Sequence, residues 1–570
     1  MCFSRHDLLA LPFGIPAIVS ILTGVDIVAI VAFGSRGIWA GLGPLISCLA
    51  NVGTVSFSAP WRAFSSTNSH SVQMILLRCY PIRHIEHAMD LPSLPYIFPN
   101  GQGNIEKFLR GRANSAKWEC EYGSLYRLWS GMSGEVVLTK PAHVEAVFRD
   151  SHSHTKARAN DSGYLMDRLL GSCLGLISGQ PWRAVRSGVE APFLHRSMAQ
   201  YAADVQDFAS TYIRRFADEN AAFRQQGKLH PVRDLKRLPF LFVTKAVYGS
   251  LNEDLERELI DLIPPREDLF KSVIGGGITR FAFSRLLPLP TIRALHNFKD
   301  RWAQWNDRAY THALIGPGAR TAPIITMYRA VKDGEMTREE LLQTLDEILF
   351  ANIDVTMSGL SWTLVFLAAH PAVQKALRSE VRQTSSNKAM RNTYLLSSWT
   401  TTPTLLGACI LEAARLRPLA AFSVPQSCPS PRILDGFKIP AGTNYIIDSY
   451  ALNVRDPFWG PDRDRFRPER WLERHKSGRD LRYHYWRFGF GPRTCLGKYL
   501  ADLILRSVVV EILENWHIAL EATTGPLEKV KENRDSKAGD EDMNWPWDDE
   551  IWIHSPHLLL KCEPLTGSLT

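Results

Sequence analysis

The ten residues from Phe488 to Gly497, FGFGPRTCLG, decide how the rest of the chain is read. A lone cysteine, Cys495, sits among glycines and an arginine just ahead of an apolar helical run, LADLILRSVVVEIL. Glycine permits tight turns and close backbone approach to a flat ligand. A cysteine at the head of a helix gains from the positive dipole end and free backbone N–H groups, which lower its thiol pKa and favour the thiolate, a metal ligand. A bare Gly-x-Cys is also a common setting for a buried free cysteine beside a turn. A dinucleotide-binding reading of Gly489-x-Gly491 fails, because Thr494 replaces the last glycine and no strand clearly precedes the loop.

Around this window the chain has the profile of a folded globular protein. Its 570 residues are 45% hydrophobic and 22% charged, too apolar for disorder. Nine cysteines lie scattered without a CxxC pair, which argues against a disulfide framework or structural zinc site. The net charge of +8 is too dilute to signify nucleic-acid binding. Its distribution is uneven: from Arg455 to Arg506 thirteen Lys and Arg stand against seven Asp and Glu.

At the N-terminus, Leu8 to Val25 is eighteen residues without a charge, followed after Asp26 by IVAIVAFG. That is near the minimum for spanning a bilayer. The basic region before it is thin and no small-residue cleavage site stands out, so residues 1–53 are expected to be an uncleaved membrane anchor rather than a secretory signal. One span, a hairpin or an interfacial segment all fit. Residues 54–100 lack sustained periodicity and read as a linker, with a compact body over 101–570. There, SGEVVLT (133–139) reads as a strand and Pro141 opens a helix. Thr337 and Glu340 form a capping box that starts a long apolar helix running to about His370, where Pro371 begins the next. Beyond Pro418, β-prone pieces with Asp-Gly and Ala-Gly turns predict a small sheet. Residues 527–542 read as a solvated insertion before a final strand.

Phe488-x-x-Gly491-x-Arg493-x-Cys495-x-Gly497 resembles the haem-binding signature of the cytochrome P450 family at all five fixed positions. The resemblance implies that Cys495 is the axial thiolate of haem b, that Arg493 pairs with a haem propionate, and that Phe488 and Gly491 pack close to the thiolate. Upstream, Trp182 and Arg186 in GQPWRAVRSG resemble the family's propionate-binding pair. Glu412-x-x-Arg415 alone is a weak signal, an i,i+3 ion pair. With Arg470 in FRPERW it resembles the family's network bracing the haem loop. Ala351 to Thr356, AlaAsnIleAspValThr, corresponds to the family's oxygen-activating helix segment. Two departures stand out: Asn352 replaces the usual glycine, and Val355 replaces the threonine that helps deliver protons. Asp354 is retained, and Asn352 and Thr356 form an i,i+4 pair able to hold a relaying water. Similar Asn-x-Asp-Val-Thr helices occur in fungal secondary-metabolite members. Leu419, Ala420, Phe422 and Val424 fall where the family's loop passes the substrate, although an apolar core loop fits them as well.

The expected fold is therefore mainly α with small β-sheets. The expected activity is a haem-thiolate monooxygenase that takes NADPH electrons from a separate NADPH-cytochrome P450 reductase and oxidises an apolar small molecule of natural-product biosynthesis. The expected location is the endoplasmic reticulum membrane, with a cytosolic catalytic domain and the 455–506 cations on the reductase-facing side. Val355 points to one alternative, a haem-thiolate enzyme that does not hydroxylate, such as an oxidative coupling or ring-closing enzyme or a peroxide isomerase; the other is a non-catalytic haem-binding protein. The pairs His84/His87 and His152/His154 lack a nearby carboxylate or cysteine pattern and are expected at the surface. Trp545, Trp547 and Trp552 suit packing beneath a loop better than base stacking.

Overall fold

Thr337 and Glu340 close the capping box reciprocally: the Glu340 amide donates to Thr337 Oγ1 at 3.2 Å and the Thr337 amide to Glu340 Oε2 at 2.7 Å. The helix behind this cap, Arg338–Ala369, has 32 residues, about 48 Å at 1.5 Å per residue, and runs through the core. The computed structural model describes residues 59–316, 321–384, 387–397, 402–477, 481–521, 545 and 553–565, with side chains from residue 69. Five helices frame the functional region and its approach: α1 (Ala59–Cys79), α2 (Gly179–Val189), α3 (Arg338–Ala369), α4 (Leu405–Leu416) and α5 (Lys498–Asn515). The architecture is mainly helical with three small sheets.

The five-stranded sheet has the order Leu125–Ser130, Ser133–Leu138, Asn444–Ile447, Gln426–Ser427 and Thr155–Lys156, antiparallel except where Ser133–Leu138 meets Asn444–Ile447. It joins residues more than 300 apart in sequence, and its last strand delivers Lys156. The hairpin of Arg432–Leu434 and Phe437–Ile439 turns on Asp435 and Gly436, both at positive φ. That is the two-residue turn which the Asp-Gly pair predicts. In a third sheet Leu560–Pro564 is central, pairing with Trp516–Leu520 on one side and Lys228–Leu229 on the other. The strand at 133 and the helix at Pro141–Phe148 fall as expected.

Residues 59–79 are not irregular, whereas most of 80–100 is. Ala59–Cys79 is helical, and Val72 and Leu76 on its inner side are buried with Tyr96 and Trp129. Val72 and Leu76 face inward while Met74 and Ile75 beside them are exposed, so the inner stripe is too narrow to read by periodicity, yet wide enough to dock one helix on a sheet edge. The expected anchor at 1–53 and the charged stretch at 527–542 lie outside the described residues. Among the described residues, one helix, α3, is long and apolar enough to cross a membrane, and it is mostly buried inside the protein.

Candidate active site

Cys495 is set by a turn that few other sequences could make. Its amide donates to Phe488 O at 2.8 Å, and Gly491–Arg493 forms a short 3-10 turn. Gly491 has φ +66°, and a Cβ there would run into Ser151. Arg487 braces the loop, bonding Asp502 of α5 at 2.7 Å and lying 4.3 Å over the Phe488 ring. Cys495 is an exposed residue of this loop, although neighbouring atoms crowd its thiol. A place at the head of a helix predicts a lowered thiol pKa; instead burial of the surrounding loop pushes it up, and the Gly497 amide pulls the other way without winning. α5 begins three residues later, at Lys498, which leaves one local donor to oppose desolvation.

Cations gather beside this cysteine. Arg493 stacks on Trp182 of α2 at 4.7 Å and donates to Ile177 O at 2.8 Å. Arg186, one turn on, bonds Glu190 at 2.8 Å and reaches Thr494 O at 3.5 Å. Lys156, which no sequence motif marks, is the third cation of the group. Burial and then the Arg493 charge bring its pKa down to about 7. Arg493 itself falls to about 10, through burial and the repulsion of Arg186, opposed by Glu347 of α3. Cations held at such mutual cost make a receptacle for anions, and a lone accessible thiol beside them is a soft metal ligand. This donor set fits a haem with its two propionates.

Behind the loop, Glu412, Arg415 and Arg470 come together as the resemblance implies, all buried. Arg415 grips both Glu412 oxygens at 2.9 Å and Arg470 Nε meets Oε1 at 2.8 Å. Burial alone would raise the Glu412 pKa, but the two guanidiniums outweigh it and hold the carboxyl below its usual range. Two members were missed: Trp471 donates to Glu412 Oε2 at 2.8 Å, and Asn453 takes the Arg415 cation on its carbonyl at 2.9 Å. The Asn453 side chain then bonds both backbone groups of Trp486 at 2.7 Å, two residues before Phe488. The network thus ends on the cysteine loop.

On α3, Thr356 donates to Asn352 Oδ1 at 2.7 Å, and the Asn352 carboxamide donates back to Ile348 O. Glu347, Ile348, Ala351, Asn352, Asp354 and Val355 are half-buried, while their helix neighbours are buried. Of the loop residues expected to line the substrate space, Leu419, Ala420 and Val424 retain exposure. Phe422 does not line this space: it is buried and stacks on Trp118 at 5.6 Å, because the bridge to Asp448 turns its side chain into the sheet's own core.

Two surface expectations also change. His84 is half-exposed and His87 and His152 are exposed, but His154 is buried, with Nε2 3.2 Å from Cys428 Sγ. With Asp150 these three place ligand-type atoms within 4.8 Å of one another. Arg432 bonds both Asp150 oxygens at 2.6 Å and so occupies the carboxylate that a metal would need. The 455–506 cations are largely spent inside: Arg455, Arg467, Arg470, Arg474, Arg487 and Arg506 bond acids, carbonyls or rings of the body. Trp545 packs on Trp362 and Phe366, while Trp547 and Trp552 lie outside the described residues.

Comparison with known proteins adds an independent line. The family description "Cytochrome P450" matches residues 102–536. The chain is similar to the cytochrome P450 monooxygenase aclC of Aspergillus oryzae, 45% identical over 491 residues that span 86% of this chain and 95% of the relative. It is similar to the cytochrome P450 monooxygenase asaD of Aspergillus flavus, 41% identical across 90% of this chain and 94% of that one. In fold it resembles a zebrafish cytochrome P450 structure with progesterone, at a TM-score of 0.59 and 19% identity, covering 80% of this chain and 99% of the other.

Proposed function

The chain belongs to the cytochrome P450 family, and from that premise we propose that it is a haem-thiolate monooxygenase whose haem b is held by Cys495. The observation that carries the assignment is the meeting of one accessible thiol with Lys156, Arg186 and Arg493 at the end of the Glu412 network. The described buried cysteines are poorer candidates. Cys428 is bonded to His154 and Cys409 is sealed in the core. Arg493, Arg186 and Lys156 would receive the propionates, with Trp182 holding the Arg493 guanidinium in plane. Phe488 and Gly491 would pack around the thiolate.

When bound, the haem supplies the redox chemistry that activates dioxygen and transfers one oxygen atom to substrate. This chain's residues orient it, exclude water and handle protons. Val355 can neither donate nor accept a proton, so that work falls to its neighbours. Thr356 has given its hydrogen to Asn352 and keeps oxygen lone pairs for a water, and Asn352 keeps one N–H. With Asp354 at the far edge of the same half-buried arc, the set spans the helix side over which protons would pass from solvent to the cleft.

Electrons come from NADPH through a separate reductase, with residues 1–53 anchoring the catalytic domain to the cytosolic side of the endoplasmic reticulum. The substrate is an apolar small molecule of natural-product biosynthesis, a reading supported by the Asn-x-Asp-Val-Thr segment. The test is the reduced, carbon monoxide-bound spectrum. Wild type is expected to give the red-shifted Soret band of thiolate ligation and Cys495→Ala to lose it, while Cys428→Ala keeps it. A mutant at Cys495 that retains the band overturns the assignment.

A further inference from the structure

The half-buried residues of α3 between Glu347 and Val355 cover an arc of roughly 160° at 100° per residue, so one side of an otherwise buried helix faces the cleft. Glu347 lies on the same edge of that arc as Asp354, two turns before it. Its charge is felt at Cys495, Lys156 and Arg493, which places its carboxylate inside the site. The proton-relay residues make no use of it.

The surroundings of Glu347 are specific. The Gly175 amide donates to its Oε2 at 2.9 Å, and a Cβ on Gly175 would run into the carboxylate. The Cys173 thiol also bonds it. Its helix neighbour Asp346 is committed to Arg266 at 2.7 Å. Burial favours the neutral acid, against the donors and cations around it. Two donors leave part of the carboxylate's four-site acceptor capacity unused. Arg493 acts on the group only through its charge and donates instead to Gly175 O and Ile177 O, so the cleft side of the carboxylate has room for another donor. A carboxylate left short of donors in a low-dielectric wall costs more than the hydrogen bond it lacks.

Resting on that reading of the site, we infer that Glu347 is the substrate-anchoring residue, and that the substrate class is nitrogenous: a molecule presenting an N–H group to this carboxylate. Apolar surface supplies the rest of the fit. Acidic substrates are excluded by the same charge, and N-alkylated ones by the lost donor.

The test uses full-length holoenzyme that has first given the thiolate Soret band with carbon monoxide. The probes are 2-phenylindole and 1-methyl-2-phenylindole, equal in body and differing in the N–H, titrated by calorimetry and by the resting-state Soret shift. Wild type is expected to bind the N–H compound about tenfold or more tightly, the range of a charge-assisted hydrogen bond. Glu347→Leu is expected to bind both alike, and Glu347→Gln, the milder change, to keep a reduced preference. Equal affinity in wild type, binding of neither probe, or a preference that survives Glu347→Leu overturns the inference while leaving the haem assignment standing. Absence of the Soret band in wild type overturns the proposed function instead.

Discussion

Thr356 is hydrogen-bonded to Asn352 across one turn of α3, 2.7 Å from hydroxyl to carboxamide oxygen. On the proposed function, the pair would do the work of the threonine that position 355 lacks. Asn352→Ala and Thr356→Val are each expected to lower product formed per NADPH by about tenfold, with the electrons leaving as hydrogen peroxide, while substrate affinity is kept. Peroxide release beside NADPH consumption measures this. Val355→Thr is expected to be tolerated. Unchanged coupling in both loss variants assigns the proton to substrate or to peroxide chemistry.

Glu412 accepts from Arg415, Arg470, Trp471 and the Arg467 amide. Removing it leaves two buried cations and an indole N–H without their acceptor, a loss of about 3–5 kcal/mol. That is a large share of a typical domain's stability. Glu412→Ala is expected to give little haem-loaded protein, read from the haem-to-protein absorbance ratio and the denaturant midpoint. Normal loading with slow turnover would mean a catalytic role instead.

Lys156 links stability to pH in the haem-free protein. Its folded pKa, about 7, lies below the ordinary 10.5. Below pH 7 both folded and unfolded chains hold the proton, and the penalty on the folded state is at full size. Between pH 7 and about 10.5 the unfolded chain binds more protons, so stability rises with pH and the penalty vanishes above that window. Melting of the apoprotein is expected to show this slope, and Lys156→Met to flatten it and raise stability at pH 6. Haem loading, which brings anions to Lys156, is expected to reduce the slope as well.

Deleting residues 1–53 is expected to release the protein from membranes and leave its haem spectrum intact, since every residue of the proposed haem site lies at or beyond Lys156. Deleting to residue 80 is expected to destabilise it, because Val72 and Leu76 are removed from Tyr96 and Trp129. Losing two buried aliphatic side chains costs about 2–5 kcal/mol each. Fractionation and thermal melting of the two truncations separate anchoring from folding.

Arg463, Arg465, Lys476 and Arg482 are the exposed described cations of the 455–506 stretch. If the reductase docks there, charge reversal at these positions slows reduction and weakens its salt dependence, since exposed charges are screened beyond about 8 Å at physiological salt. Stopped-flow reduction against ionic strength measures both. Reversal at Arg470 or Arg474, by contrast, is expected to damage folding.

How far each feature is legible in the sequence depends on how locally it is encoded. The Thr337 cap, the Asp435-Gly436 turn and the Glu412/Arg415 spacing each need a few consecutive residues, and each formed as read. The 488–497 window is legible because tight backbone geometry restricts its residue types. Lys156 and Glu347 carry no local pattern; they meet because a short edge strand and a long helix converge on one cleft. Phe422 sits in a segment whose two faces are both apolar, so only the bridge to Asp448 decides which way it points. Charge counted along 455–506 could not tell interior guanidiniums from surface ones.

Leu229 pairs with Leu560 in the third sheet, which has an implication for biosynthesis. At about 5–20 residues per second, roughly 330 residues and tens of seconds separate the two strands as the chain leaves the ribosome. The Lys228–Leu229 edge must wait, unpaired, until residue 560 has been made. The sheet's last strand also lies beyond Cys495. A nascent chain stalled short of residue 560 would present the thiol loop on a body not yet stitched shut.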